Sequence, residues 1–409
     1  NDFLIAVIDS TYREISTVQE FIGMQNGYAY KLINDIDLEG IQWVPRDLSY
    51  IDLDGNGFGI FNFRNVKTIN DTFLNVGLFS SLNYSTVRNL NIERSLTIIT
   101  LNASDQSYNA HGGIIAGSAY FTSFINVSVS GEMSINNASN GTTYLGGFVG
   151  NGSEITIKDS TANVQLEGKN YVGGFVGQGW NIKIDRSYTS GELYSNQRVG
   201  ALIGEASRIN IQNSYSTATV SSNQWEVGGL VGVGYESIFI SNSYFNGLII
   251  SSDYFGKSGL IGNGYNLTIS NSFSMGHITN NLSEDDPAYF YQALPAINNG
   301  WGEINTNNVV DISVSRENYN DYSTYQSIED IMINMATIWS GDTWSFGGNY
   351  PVLKTRPSVR FSDVSSGDTT ISFDIILGDF EGESSIESIE LLSNNVIIQT
   401  LDDTTIRRF

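Results

Sequence analysis

The sequence predicts an all-β protein: a right-handed parallel β-helix with short helical caps, followed by a partial β-sandwich module. Three observations predict it. First, a core of two small residues, two apolar residues and a glycine recurs, as HGGIIAG from His111, YLGGFVG from Tyr144, YVGGFVG from Tyr171, VGALIG from Val199, VGGLVG from Val227 and SGLIG from Ser258, with a degenerate copy, NVGLFSS, from Asn75. Second, the closing residues Ser80, Gly117, Gly150, Gly177, Gly204, Gly232 and Gly262 stand 37, 33, 27, 27, 28 and 30 residues apart, a period typical of stacked repeats. Third, a landmark in each copy (Leu90, Val127, Ser160, Ser187, Ser214, Ser243, Ser272) follows the closing residue by 10 or 11 positions. Fixed spacing inside the repeat with slack between repeats describes one stacked unit joined by variable loops.

The unit reads as strands. In Tyr171 to Glu192, a small turn at Gln178 and Gly179 leads to an alternating run with Ile182 and Ile184 on one face, then a corner, then a third run to Leu193. Alternation of period two marks a half-buried strand. Such a coil cannot bury its apolar face alone, so neighbours stack in register. At the strand spacing of roughly 4.8 Å, seven copies span about 34 Å.

These copies resemble the GLUG repeat, a glycine-aliphatic-glycine motif of bacterial surface proteins that also occurs beside the peptidase domains of streptococcal immunoglobulin A peptidases. The resemblance covers Asn75 to Ile278, and YKLINDIDLEG from Tyr30, LDGNGFGIFNF from Leu53 and WSFGGNYPVLK from Trp344 resemble the usual lead-in and close of such arrays. It implies a secreted or wall-attached protein and a scaffold, without implying one activity.

Taken in order, residues 1–50 form an N-terminal cap and lead-in strands. Ser16 with Gln19, or Thr17 with Glu20, offers a capping box for a helix carrying Phe21, Ile22 and Met24. That helix covers the open end of the solenoid. Residues 51–280 form the β-helix. Within its entry, Asp52-Leu53-Asp54-Gly55-Asn56-Gly57 matches the first half of an EF-hand loop, but the twelfth position, which needs a bidentate glutamate, is Phe63. The stretch reads as a glycine-rich turn, with a weak calcium site as the alternative; no other cofactor is indicated.

The third strand of the coil carries the candidate ligand-binding residues. Ser187, Thr189, Gly191 and Leu193 share parity and end apolar, so they point inward, which turns Tyr188, Tyr215, Tyr244 and Phe273 outward. Four rings one coil apart form a ladder. It reads either as a stack that stiffens the sheet or as a platform for sugar faces. Asn126, Asn213, Asn242 and Asn271 read as a polar ladder at the neighbouring corner, from which Arg186 departs.

The period ends at Ile278, and residues 281–356 read as a C-terminal capping region with one helix. Ser327 and Asp330 cap Ile328 to Ala336; Ile331, Met332 and Met335 form its apolar stripe, and Trp339, Trp344 and Phe346 pin it. Residues 357–409 hold four short alternating strands in SVRFSDV, TTISFDIIL, SIESIELL and NVIIQTL, which resemble the opening half of an immunoglobulin-like or fibronectin-like module. Four strands do not close such a sandwich, so the native polypeptide is expected to continue. The start at Asn1, with neither Met nor leader, reads as processed.

Composition narrows the function. With 20 Lys and Arg against 43 Asp and Glu, the net charge of −23 disfavours nucleic acid and anionic membranes as partners. No cysteine supplies a disulfide, a thiolate ligand or a nucleophile, and no apolar run is long enough to span a membrane. The two histidines, His111 and His277, both occupy repeat positions, and neither H-E-x-x-H nor G-x-S-x-G occurs. The enzymatic alternative is a polysaccharide-degrading β-helix using paired carboxylates, for which Asp35 and Asp37, Asp52 and Asp54, and Asp285 and Asp286 are the candidates. The sequence therefore reads as a non-catalytic stalk or adhesin scaffold at the bacterial surface, contacting glycan, host protein or neighbouring copies; a pure spacer is the other alternative.

Overall fold

The computed structural model describes residues 9–69, 73–101, 109–137, 141–224, 226–251, 257–279, 292–293, 297–312, 324–326, 328–346, 350–354, 359–366, 371–377, 388–393 and 396–402. The chain winds into a parallel β-solenoid of about seven turns. Each turn contributes one short strand to a narrow seven-stranded sheet and longer strands to a broad 25-stranded one. Equivalent landmarks sit directly over one another. Tyr144 pairs with Tyr171 and Tyr171 with Arg198 in the narrow sheet; Ile155, Ile182, Ile209 and Ile238 pair successively in the broad one. Inside, Phe148 and Phe175 meet edge to face at 4.9 Å, and aliphatic columns fill the rest.

The recurrent glycines have a steric cause. A Cβ on Gly146 or Gly173 would collide with the carbonyl oxygen of Val149 or Val176, and one on Gly177 would stand 2.5 Å from the Leu145 nitrogen. The narrow sheet thus lies backbone to backbone against the start of the broad strands, far closer than the roughly 10 Å of sheets separated by side chains. The two-apolar step between the glycines supplies the core residues Phe175 and Val176, both fully buried.

Two corners per coil use left-handed backbone on non-glycine residues. Asn181 (φ 54°) and Arg186 (φ 47°) bracket the run from Ile182 to Asp185, and the pattern repeats at Arg208 and Asn213 and at Asn266 and Asn271. The expected polar ladder lies at the second corner, where Asn126 donates to Asn89 at 3.0 Å and Asn242 to Asn213 at 3.2 Å. Arg186 does depart from it: its guanidinium makes a two-pronged pair with Asp159 at 2.6 and 2.7 Å. Just past that corner runs a buried serine ladder. Ser160, Ser187, Ser214 and Ser243 each accept, or in turn donate, along a chain in which the amide of one coil reaches the Oγ of the next at 3.1–3.2 Å. Each of these Oγ atoms donates in turn to the carbonyl two residues earlier. The left-handed corner pulls that amide off the strand ladder, and the serine satisfies it.

The helix expected near the N-terminal end is present. Helix α1, Val18–Ile22, has Thr17 as N-cap in a full capping box with Glu20. It drops Phe21 into the core, stacked on Trp43 at 5.6 Å and against Phe79 at 6.2 Å. At the other end the structure differs from the sequence reading. The stack does not stop at Ile278, because strand Ile297–Ile312 pairs in parallel with Ile261–Ser274, placing Gly300 beside Gly264 and Ile304 beside Leu267. The closing glycine is replaced there by Asn298, which hides the rung from a glycine-based search. Most extra length relative to a 27-residue coil falls between the third strand and the narrow sheet, as between Leu101 and Asn109 and between Ser251 and Lys257, while single extra residues enter the broad sheet at Glu93–Arg94 and Glu236–Ser237. Farther on, Val359–Ser366 with Ile371–Leu377, and Ser388–Ser393 with Val396–Asp402, form antiparallel pairs from the four strands read in the sequence.

The aromatic ladder exists, but its expected exposure is corrected. Tyr188, Tyr215, Tyr244 and Phe273 project away from the lumen and stack at 4.8, 4.9 and 4.8 Å with interplanar angles of 8°, 1° and 5°. Tyr215, Tyr244 and Phe273 are nonetheless only 3%, 0% and 0% exposed, and Tyr188 is partly buried. Helix α2, Ile328–Ile338, and the hairpin of Trp344–Ser345 with Val352–Leu353 lie over them. Ile331 and Met335 face inward, Trp339 stacks on Phe273 at 5.4 Å, its indole donates to the Asn271 carbonyl at 3.0 Å, and the Tyr244 hydroxyl donates to the Pro351 carbonyl. Stacked rings expose a large apolar edge, and the segment after the solenoid uses that edge to dock, forming a second core. The capping region thereby covers a flank of the solenoid.

Two outcomes are expected. Gly177→Ala costs about 3 kcal/mol or more, because the added methyl meets backbone that cannot rotate away. Gly27→Ala, at φ 83° with nothing within 4 Å, costs about 1 kcal/mol from backbone strain alone; urea midpoints compare the two. Tyr244→Ala destabilises by about 3–5 kcal/mol and frees the second core first, read as faster hydrogen exchange in residues 328–346 than in the coils.

Candidate functional site

One lateral face of the solenoid gathers the polar and aromatic groups that the core does not consume. It is built from two facing rows. Along the narrow sheet, equivalent positions of successive coils carry His111, Tyr144, Tyr171 and Arg198. His111 meets Tyr144 edge to face at 5.1 Å, Tyr144 stacks on Tyr171 at 5.0 Å and 7°, and the Arg198 guanidinium lies 5.4 Å above the Tyr171 ring. Beside it, the first broad-sheet strand contributes Asn151, Gln178 and Glu205 at paired positions.

Arg198 joins the rows. It pairs with Glu205 on its own coil and with Glu226 on the next at 3.2 Å, and it donates to the Tyr171 hydroxyl at 3.3 Å. The side chains of Arg198, Glu205 and Glu226 retain 18%, 12% and 19% of their exposure, so the cluster is shielded yet reachable. Burial pushes the Glu205 carboxyl above its usual range, against the opposing pull of Arg198. Burial also raises the Tyr144, Tyr171 and Tyr235 phenols, with Glu205 adding to each, so all three hydroxyls stay protonated and able to donate. The face therefore offers oriented donors and acceptors around ring edges, the chemistry that recognises a polyhydroxylated ligand.

A second exposed feature adjoins it. Where the first broad-sheet strand reaches its corner, paired positions carry Tyr120, Ser153, Trp180, Ser207 and Tyr235 in successive coils; Tyr265 follows Gly264 as Tyr235 follows Gly234. The four aromatic residues of this strip are 38–47% exposed. Arg208 lies 4.9 Å above the Trp180 ring and pairs with Glu236 at 2.6 Å. On the coils nearest the N-terminus the corner residues themselves are aromatic: Tyr50, Tyr84 and Phe121 hold φ of 56°, 49° and 48° and stack at 5.1 and 5.3 Å. Left-handed backbone costs a bulky residue roughly 1–2 kcal/mol, and a ring pair returns about 0.5–1.5 kcal/mol. Fold stability alone thus gives little reason to prefer rings there over the asparagine found at Asn181 or Asn266.

Two of the acidic pairs singled out in the sequence, Asp35 with Asp37 and Asp52 with Asp54, sit elsewhere and are structurally engaged. Asp35 accepts from the Gly59 amide at 2.8 Å, and Asp37 from Asn62 at 2.8 Å. Asp52 and Asp54 straddle Arg88 at 3.1 and 3.5 Å. Asp54 also accepts from the Asn56 amide at 2.8 Å, as a turn residue does, and from Asn89 at 3.0 Å. Asp285 and Asp286 lie outside the described residues. Sequence reading missed the Arg198 cluster because its members belong to three coils, yet the signal was present: Tyr144, Tyr171 and Arg198 each stand two residues before a repeat glycine. Among the described residues no helix is long and apolar enough to cross a membrane.

His111, at the end of the narrow-sheet row, gives this face a pH signature. Burial lowers it from 6.5 to about 4. A depressed folded-state value means the unfolded chain takes up the proton first, so the stabilisation is complete above pH 6.5 and is lost as pH falls through 4. On the order of 3 kcal/mol is at stake. Urea midpoints at pH 7 and 4.5 should differ less in His111→Gln than in the parent.

No protein-family model and no curated protein matches the chain. Solved structures similar to it include a putative immunoglobulin A1 protease from Bacteroides ovatus, at 17% identity and TM-score 0.45 over 85% of this chain and 94% of that one. Another is an IgA1 protease, at 18% identity and TM-score 0.44, covering 75% of this chain and 25% of that one. A third is PfbA, a surface adhesin of Streptococcus pneumoniae, at 10% identity and TM-score 0.18, covering 76% and 92%.

Proposed function

We propose that this chain is the rigid β-helix part of an extracellular bacterial surface protein, a non-catalytic adhesive scaffold that presents a lateral face to a glycan. The observation that carries this reading is the partly buried cluster of Tyr144, Tyr171, Arg198, Glu205 and Glu226, bordered by the exposed Tyr235 and held in orientation by the Tyr144–Tyr171 stack and the Arg198 ion pairs. The GLUG-like repeat supports the surface assignment. Engagement of both Glu205 and Glu226 by one guanidinium supports binding over acid–base work, since a glycosidase needs one carboxyl free to protonate and its partner free to attack or to activate water.

A glycan array with product analysis of every hit, with and without calcium, tests the proposal. A specific glycan should be bound and recovered uncleaved. Tyr171→Phe, which removes one hydroxyl and its bond from Arg198 but keeps the ring stack, should weaken it about five- to tenfold while the chain stays folded, losing only about 1 kcal/mol of stability. Cleavage of the bound glycan that disappears in Glu205→Gln would instead establish the enzymatic alternative.

A further inference from the structure

The chain does not leave the solenoid from its last rung. Among the described residues that rung, Ile297–Ile312, is paired on its far side only from Val310 to Ile312, with Thr324–Gln326. The segment after it turns back along the flank, over a column in which successive partners are Val310, Phe273, Tyr244, Tyr215 and Tyr188. Trp339 of α2 meets Phe273 and Tyr244 at 5.4 and 6.2 Å, one and two coils in from the rung. Trp344 of the hairpin meets Tyr244 and Tyr215, both at 6.0 Å, two and three coils in. Leu353, the last residue of the hairpin, still belongs to the second core. We infer that α2 and the hairpin form a mechanical clasp, which passes tension from residues beyond Leu353 into the flank of the solenoid and keeps it off the terminal rung. This goes beyond the glycan contact proposed above and stands whether or not a glycan binds.

The terminal rung is the weak route for tension. Its hydrogen bonds to Ile261–Ser274 lie along the solenoid axis, and a chain drawn away from one end of the strand opens them one after another. Each contributes only about 0.5–1.5 kcal/mol net, and the edge of a repeat stack has the fewest neighbours to hold it.

The second core meets tension differently. Its rings are spaced 4.8–4.9 Å along the axis, and the two tryptophans bridge three of them. A pull directed along the axis therefore loads these contacts side by side, and they must break together. Hydrogen bonds pin the strap at two heights, from the Trp339 indole to the Asn271 carbonyl and from the Tyr244 hydroxyl to the Pro351 carbonyl. Between them the Trp339 and Trp344 rings lie 4.5 Å apart, and the Lys354 amide donates to the Thr343 carbonyl at 2.9 Å. The exit of the chain is thus tied back to the start of the hairpin, and the stretch between rung and clasp carries no tension while the clasp holds.

The test is optical-trap pulling on the full chain, which has no native cysteine to compete for the handles. One handle is Lys183→Cys, an exposed site in the coil that carries Tyr188; the other is Thr355→Cys, just past the hairpin. The parent should hold its length up to one threshold, at which the strap and the rungs behind it give way together, because the force that opens the clasp already exceeds what a bare rung withstands. Trp339→Ala should lower that threshold about twofold or more, since forced opening reports the barrier of the element under tension. Tyr244→Phe, which keeps the ring column and removes only the bond to Pro351, should lower it by less. Pulling between Asn1→Cys and Lys183→Cys, a path that does not cross the clasp, should give the same force with and without Trp339→Ala. An early step of roughly 90–100 Å, the length of residues 327–354 at about 3.4 Å each, followed by rung opening at higher force, overturns the inference, because the strap would then be the weaker element. So does a threshold that neither substitution moves, or an equal loss on both pulling paths.

Discussion

Backbone-to-backbone contact between the narrow sheet and the start of the broad strands is the constraint on which the rest of the molecule depends. It permits no side chain at Gly146, Gly173 and Gly177, and this is why a glycine pattern marks the repeat. Once the two backbones touch, the height of every coil is fixed by strand spacing and its width by the glycine pair. Corners, serine ladder and aromatic stacks then fall into line one above another. A column such as Ile155, Ile182, Ile209 and Ile238 is a consequence of that registration as much as a cause of it.

Stacking in register converts each favourable side chain into a row. Inside, rows of isoleucine fill the lumen, and the serine row from Ser160 to Ser243 meets its own hydrogen bonds. Outside, the same geometry produces aromatic rows with different fates, besides the corner stack of Tyr50, Tyr84 and Phe121. The row through Tyr215 and Tyr244 is consumed by the second core under α2. The row through Tyr144 and Tyr171 ends in the Arg198 ion cluster and stays half-open. The row through Trp180 remains in solvent. Ring ladders are thus not a functional signal by themselves; what lies over them decides.

The fold was legible because a close backbone contact strongly favours glycine, so the repeat survives in Gly117, Gly150, Gly177, Gly204, Gly232 and Gly262 even where the other positions drift, and it fades at Ser80 and Asn298. Helix α1 was legible for a similar reason, since the Thr17–Glu20 capping box is local chemistry. Outward parity of Tyr188, Tyr215, Tyr244 and Phe273 could be read from alternation, but their burial could not. It depends on residues more than sixty positions farther on folding back, and strand parity carries no information about that. The rung at Ile297–Ile312 was missed because Asn298 stands where the closing glycine belongs. The row of Tyr144, Tyr171 and Arg198 was legible from its place two residues before a repeat glycine, but its pairing with Glu205 and Glu226 was not, because spacing along the chain does not say which side chains of neighbouring strands meet.

The placement of the longest connections has a consequence for the tolerance of the coil. They join the third strand to the narrow sheet, between Leu101 and Asn109 and between Ser251 and Lys257, whereas the single extra residues at Glu93–Arg94 and Glu236–Ser237 stay within the broad sheet. A segment joined between the third strand and the narrow sheet meets neither the glycine contact nor the serine ladder. The scaffold therefore takes up length along one edge while the glycine contact holds its pitch at another.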